Sequence, residues 1–339
     1  MNQALYVHLS EPLLTMLATE RGELPVLGVH ALAGFELQRL PFDPQIPFDW
    51  VTPDAWARRQ ARFWIAVGLG LRNDQGPWQT SFELRVKGGA DLQRPCETSL
   101  WVKAFAPQDH VADLAAYSLA EMMMALYPPH CEPRPAATAG DFTRLWGAGE
   151  PQWLAEVRRE IVLNNNVEQA ASLGEPSCEI SAWNPSPEGL REVWELFPRL
   201  PGCAWLSIGV CPSQLFAAEQ RAMQNRPCER ASGDHPNTFA GRVWLVRVKV
   251  GGDPQAGEWL AAALAAALAE PGPTGQSGGT SVETVIVQPQ TSQDWQAARF
   301  NWQWGEFQPW GEADTPTHLR RLPYLFGPSQ VGLLAGAWG

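Results

Sequence analysis

Charge is scarce in this chain. Asp, Glu, Lys and Arg make up 18% of its 339 residues, against roughly 25% in ordinary soluble domains. The charge present leans negative, with 36 acidic residues against 25 basic ones and a net of −11. No run of four Lys or Arg occurs. The densest basic groups, Arg58-Arg59 with Arg62, Arg158-Arg159 and Arg320-Arg321, read as solvated helix faces. Broad nucleic-acid binding needs a basic face that releases counterions, so it is not expected. Long apolar runs are missing too. Without 18 uninterrupted apolar residues no membrane insertion is expected. The opening Met1-Asn2-Gln3-Ala4 lacks the basic-then-apolar pattern of a secretory leader. The six cysteines, at 96, 131, 178, 203, 211 and 228, therefore read as reduced thiols of a cytoplasmic protein.

The motifs that carry common chemistries are missing as well. There is no G-x-x-x-x-G-K-[ST]. The Gly-rich stretch Gly272–Gly279 lacks the phosphate-reaching Lys and precedes a strand pattern, where a phosphate loop must precede a helix. There is no C-x-x-C, H-E-x-x-H or G-x-S-x-G. The adjacent His130-Cys131 pair has the wrong spacing for one metal, and Cys228 with His235 needs distant help. No cofactor, metal or catalytic residue is assigned. Cys131, Cys203, Cys211 and Cys228 are the candidates for a thiol nucleophile with distant partners. Carboxylates such as Asp54, Asp109 and Glu188 fall where helix capping explains them.

What the chain does hold is apolar residues (45%), with 30 glycines, 30 prolines and 17 tryptophans. That suits a loop-rich fold with a sizeable core. Residues 1–50 show little periodicity, and Leu40–Phe48 alternates apolar groups with prolines like an extended arm. Thr52-Pro53 starts a helix running at least to Phe63. In Ser81–Lys87, Phe82, Leu84 and Val86 alternate with Glu83, Arg85 and Lys87. This predicts a strand with one apolar and one wet face, partnered by Ser99–Ala106. A helix capped by Asp109 runs to Tyr127, and Pro128-Pro129 ends it. Residues 130–150 form a Pro/Ala/Gly-rich connection, and Pro151 opens an amphipathic helix to Leu163. Then follow a short strand Glu179–Trp183, a helix from Pro187 and a strand marked by Ala204, Leu206, Ile208 and Val210. A helix from Pro212, a strand Val243–Val250, a helix over 255–269 and a strand Ser281–Gln288 complete the series.

These elements predict an α+β fold of ferredoxin-like βαβ units, with helices on one face of a mainly antiparallel or mixed sheet. Val243–Val250 keeps Arg247 and Lys249 on its second face, which argues against a doubly wound sheet buried on both sides. The expected organisation is an N-terminal α+β subdomain at 1–135, a linker and helix at 136–178 and a ferredoxin-like subdomain at 179–290. An aromatic-rich loop with a helical segment at 291–339 closes it. Within that last part Trp295, Trp302, Trp304, Phe307 and Trp310 are the candidate interaction residues, because Trp is enriched at interface hot spots. The competing reading is a loop that folds its own aromatics back onto the domain.

The order of segments also carries a resemblance. Phe82-Glu83-Leu84 and Leu100–Phe105 lead into a helix ending at Pro, and Pro212-Ser213-x-Leu215-x-x-x-Glu219 and Val243–Val250 follow. The chain closes with Leu319-x-x-Leu322-x-x-Leu325-Phe326-x-Pro328-Ser329-x-Val331-x-x-Leu334. This order resembles the N-terminal, non-motor region of bacterial HerA-like and conjugation-type (type IV secretion) ATPases. The resemblance implies a role in assembly and partner contact and carries over no catalytic residue. The expectation is a non-catalytic assembly or adaptor domain that docks onto a protein partner, a motor ATPase or another copy of itself. A hydrolase or transferase with dispersed catalytic groups, and a structural subunit of a larger particle, are the alternatives.

Overall fold

The computed structural model describes residues 5–19, 22–37, 53–70, 79–89, 96–127, 131–146, 151–164, 177–180, 183, 187–224, 242–269, 282–304 and 320–336. The strands are β1 (Val7–Leu9), β2 (Leu13–Thr19), β3 (Gly22–Leu37), β4 (Gln79–Gly88), β5 (Cys96–Ala106), β6 (Pro133–Pro135), β7 (Trp153–Arg159), β8 (Ile161–Asn164), β9 (Ser177–Ile180), β10 (Ala204–Gln214), β11 (Arg242–Gly252), β12 (Val282–Ile286) and β13 (Leu325–Phe326). The helices are α1 (Pro53–Gly70), α2 (Asp109–Leu126), α3 (Ala139–Trp146), α4 (Pro187–Leu196), α5 (Ala217–Gln224), α6 (Pro254–Leu268), α7 (Ser292–Gln303) and α8 (Pro328–Gly336).

Period-two alternation places Phe82, Leu84 and Val86 of β4, Leu206 and Ile208 of β10, and Val246, Val248 and Val250 of β11 on one face, all buried. The described strands other than β8 and β9 form one 11-stranded sheet, and every described pairing in it is antiparallel. The fold is therefore α+β. Its topology repeats. The order β6-β3-β5-β4 is made by the series β3-α1-β4-β5-α2-β6, and the order β12-β7-β11-β10 by β7-α4-β10-β11-α6-β12. Each series has the ferredoxin-like strand order, its fourth strand beside its first and its third beside both first and second. The two units join edge to edge where β4 pairs with β10, from Ala204↔Gly88 to Val210↔Phe82. The next described helix after the first unit is α3, and the next after the second is α7.

The apolar face is covered by α1, α2, α4, α6 and α8. Trp64 of α1 meets Phe82 and Trp244 edge-on, with ring centroids 5.5 and 5.6 Å apart. α8 reaches α1 closely enough that a Cβ on Gly332 would run into the backbone of Ala61.

Several elements differ from the sequence-based expectation. The segment after Pro151 is β7, not a helix, and it is the first strand of the second unit. Six of its seven residues are buried, and contact on both faces overrides a helix-like pattern. Ser177–Ile180 pairs with β8 in a separate two-stranded sheet, so it is not the strand that opens the unit. β10 runs on through Pro212 to Gln214, and the next helix starts at Ala217. The closing segment is a 3-10 turn (Leu322–Tyr324), β13 and then α8. Asp109 is the first helical residue of α2, after the N-cap Gln108. Residues that showed little periodicity form the β1–β3 hairpin. The proline-rich arm at 40–48 lies outside the described residues. One sheet runs through both units, so the linker drawn at 136–178 contains α3 and β7 of that sheet's architecture.

Candidate functional site

Two features stand out beyond ordinary core: a charged layer on the sheet's second face, and a β-ribbon that leaves the sheet. The alternation that turns valines inward turns charges outward, and the outward face of β4 and its partners was expected to be wet. It is instead dry. Glu83, Arg85, Lys103, Glu156, Arg158, Arg247 and Lys249 are all under a tenth exposed. The covers are α3 and α7, so helices lie on both faces of the sheet.

Both covering helices begin with the same device. Thr138 Oγ1 donates to Asp141 and accepts from the Asp141 backbone N–H, and Asp141 in turn accepts from the Thr138 N–H. Thr291 and Asp294 repeat the exchange at α7. Such reciprocal capping satisfies donors that a helix start leaves free. α3 then packs Phe142 and Trp146 on Trp101 and Leu32. α7 packs Ala298 and Trp302 on Leu154.

Glu83 is the hub of the layer. It accepts from Arg85 through two nitrogens, pairs with Lys103, and accepts from Ser207 Oγ at 2.6 Å. Burial pushes its carboxyl up, but Arg85, Lys103 and Lys249 together outweigh that and hold it well below the usual carboxylate range. Glu156 takes Arg247 Nε at 2.7 Å and the Tyr324 hydroxyl. Arg158 Nε donates to Glu283 at 2.9 Å. Burial pulls the Lys249 ammonium well below its ordinary range, Glu83 opposing and Arg247 adding to the fall.

Five cations thus share the layer with Glu83 and Glu156, and with Glu283 at its margin. The balance comes from α7. Lys249 Nζ donates to the Trp302 carbonyl at 2.7 Å, and Lys103 Nζ to the Gln303 carbonyl at 3.2 Å. Arg247 Nη1 donates to Asn301 Oδ1 at 2.6 Å. A helix C-terminus carries the negative end of the macrodipole and carbonyls without helical partners, so α7 supplies acceptors where the sheet has too few. Arg85 lies 3.6 Å from the centre of the Trp146 ring and donates to the Trp146 carbonyl at 3.2 Å, the same arrangement at α3.

This site is a clamp. Among the described residues no group of three or more His, Cys, Asp or Glu side chains could hold a metal, and no helix is long and apolar enough to cross a membrane. Two of the four thiol candidates are poorly set for attack. Burial pushes Cys131 up to about 12, and Cys211 is buried with its Sγ donating to the Thr80 carbonyl. A thiol so raised is not a thiolate at neutral pH. Cys203 is half-buried, and Cys228 lies outside the described residues.

The aromatic candidates divide. The described part of their segment contains the helix α7, Ser292–Gln303. Trp302 is buried at 5% exposure, so its ring cannot cover a partner in this conformation. Trp295 is half-buried beside Arg299. Trp304 is half-buried against Trp146, His8 and His30. Phe307 and Trp310 lie outside the described residues.

The second feature was not foreseen. β3 pairs with β5 only over Val29–Glu36, while Gly22–Gly28 pairs with β2 alone among the described residues. These seven residues form a two-stranded ribbon roughly 20 Å long. Leu14 and Leu27, cross-strand partners, are 64% and 63% exposed, and Leu24 is 50% exposed. Two runs of leucine around Glu20-Arg21-Gly22 were the available signal.

Compared with known proteins, the sequence matches no family model, and no curated protein matches it.

Proposed function

We propose that this chain is a non-catalytic assembly or adaptor module that docks onto another protein through the β2–β3 ribbon. The carrying observation is the pair Leu14 and Leu27, side by side and nearly two-thirds exposed on a ribbon that projects from the sheet. An isolated two-stranded ribbon is marginal in water, and exposed leucines on it gain by burial, roughly 1.5–3 kcal/mol for each side chain fully covered. The charged clamp fits this reading. It fixes α3 and α7 on the sheet, making a rigid base from which the ribbon projects. A motor ATPase is the partner class that the segment order suggests.

Photo-crosslinking tests the reading. A photoreactive residue is placed at Leu14 or Leu27, with exposed Glu192 on α4 as control. The expected result is one defined adduct from both ribbon positions, to a motor ATPase or another copy of the chain, absent from the control. No adduct from the ribbon, or the same adducts from all three positions, refutes it.

A further inference from the structure

We infer that two copies of this chain pair through the outward faces of α1 and α2, with α1 of each copy lying antiparallel on α2 of the other. This contact is separate from the ribbon. On α1 the exposed residues Arg58, Arg62 and Ile65 fall at i, i+4 and i+7, and Ile65 is 43% exposed. On α2 the exposed residues Leu114, Tyr117 and Glu121 fall at i, i+3 and i+7, with Leu114 at 65% and Tyr117 at 43%. At about 100° per residue each trio spans about 60° of its helix, so each is one narrow stripe. Read in opposite directions the two spacings coincide, four residues and then three. An antiparallel pair at that register sets Arg58 against Glu121, Arg62 against the Tyr117 ring and Ile65 against Leu114. These are an ion pair, a cation on an aromatic ring and an aliphatic contact.

The topology lets both contacts form at once. β3 and β4 both pair antiparallel with β5, and β6 pairs antiparallel with β3. α1 is the crossover between the parallel strands β3 and β4 and runs against them, and α2 does the same between β5 and β6. The two helices are therefore antiparallel to each other on one face of the sheet. They meet where Phe63 packs edge-on against Tyr127, ring centroids 5.2 Å apart. A two-fold axis parallel to the helices keeps their directions and exchanges their sides. Each α1 then faces the other copy's α2 antiparallel, as an isologous contact requires. Charge selects a second copy as the occupant. α2 carries Asp109, Asp113 and Glu121 and no Lys or Arg, so its complement is basic, and α1 offers exposed arginines at the matching spacing. Chains of net charge −11 repel one another, so self-contact is favoured where base meets acid. Exposed charges fix register more than they add affinity, so the dimer is weak.

Sedimentation velocity on the full chain from about 1 to about 200 µM tests this, with circular dichroism to confirm that each variant folds. The wild type is expected to pass from monomer to dimer across that range. Leu114→Arg sets a cation beside Arg62 and Ile65 of the other copy and should shift the midpoint upward about tenfold. Arg58→Glu should weaken the dimer, and adding Glu121→Arg should restore it, because each copy then presents the exchanged pair. Leu14→Arg, on the ribbon, should leave the dimer unchanged. A wild type that stays monomeric at about 200 µM overturns the inference. So does a dimer indifferent to Leu114→Arg, or a double variant no tighter than Arg58→Glu alone. A dimer that Leu14→Arg abolishes belongs to the ribbon, which ends this inference and leaves the docking reading standing.

Discussion

Replacing Glu83 by Gln isolates one charge in the covered layer. The amide has the same size and can still accept from Ser207 Oγ, so packing and that hydrogen bond are kept. What is lost is the negative charge that faces Arg85, Lys103 and Lys249. All three cations are under a tenth exposed. Breaking a buried pair by removing one partner costs about 3–5 kcal/mol, because the survivor stays buried without compensation. Against a whole stability of about 5–15 kcal/mol, that is about a fifth of the total or more. Urea unfolding followed by tryptophan fluorescence should show a midpoint displaced strongly downward. The double variant Glu83→Gln with Lys103→Met should recover part of the loss, because it removes one of the stranded cations. The partly exposed pair Glu36–Arg144, with Glu36 12% and Arg144 46% exposed, is the internal standard: Glu36→Gln should cost less than Glu83→Gln, about 1 kcal/mol. If Glu83→Gln lies within about 1 kcal/mol of wild type, or Lys103→Met deepens the loss, the layer is not a charge-balanced clamp and the argument fails.

Two further outcomes follow from the same geometry. Thr291→Ala removes the α7 cap and should cost about 1 kcal/mol; a larger rise in proteolysis within 292–303 than elsewhere, read by limited digestion, locates the effect in α7. His30 is 2% exposed, and burial with Lys103 nearby pulls its pKa from 6.5 down to about 3. A group depressed on folding loses stability as pH falls through its unfolded value toward its folded one. Stability should therefore decline below pH 6.5 by up to about 1.4 kcal/mol per unit, and His30→Gln should flatten the slope between pH 6.5 and 4.5; an unchanged slope refutes the assignment.

The fold class and most core strands were legible because they follow period-two alternation. Phe82, Leu84 and Val86 and their counterparts in β11 announce themselves locally. β7 did not, because both faces of it are covered and its sequence WLAEVRR mixes the two patterns. The repeat of the unit depends on that strand, so missing it hid the symmetry. The covering helices were hidden for another reason. Each is short or weakly apolar, and α7 buries only Ala298 and Trp302. The signal was capping: Thr138-x-x-Asp141 and Thr291-x-x-Asp294 both stand in the sequence. Without those helices the charged face could only be read as wet, since nothing local tells a solvated Lys from one whose partner is a carbonyl fifty residues away.

That last point also bears on why the charges are there at all. An apolar second face would bury more cheaply, since a buried ion pair seldom beats well-packed hydrophobic residues of similar volume. What ions add is selectivity of arrangement. An apolar α7 could slide along an apolar sheet with little penalty, whereas Lys249 on the Trp302 carbonyl, Lys103 on the Gln303 carbonyl and Arg247 on Asn301 accept one axial position of the helix. The same holds for Arg85 on the Trp146 carbonyl at the end of α3. Each repeat unit thus carries a helix whose C-terminus is locked by cations of the sheet, and the locking cations of the two units meet at Glu83, on the strand that joins them. Sheet continuity holds the units edge to edge, while Glu83 couples the placement of their covers. The covers also meet directly, Trp146 against Trp304 and Arg85 donating to the carbonyls of both helix ends, so the paired units present one base for whatever the ribbon grips.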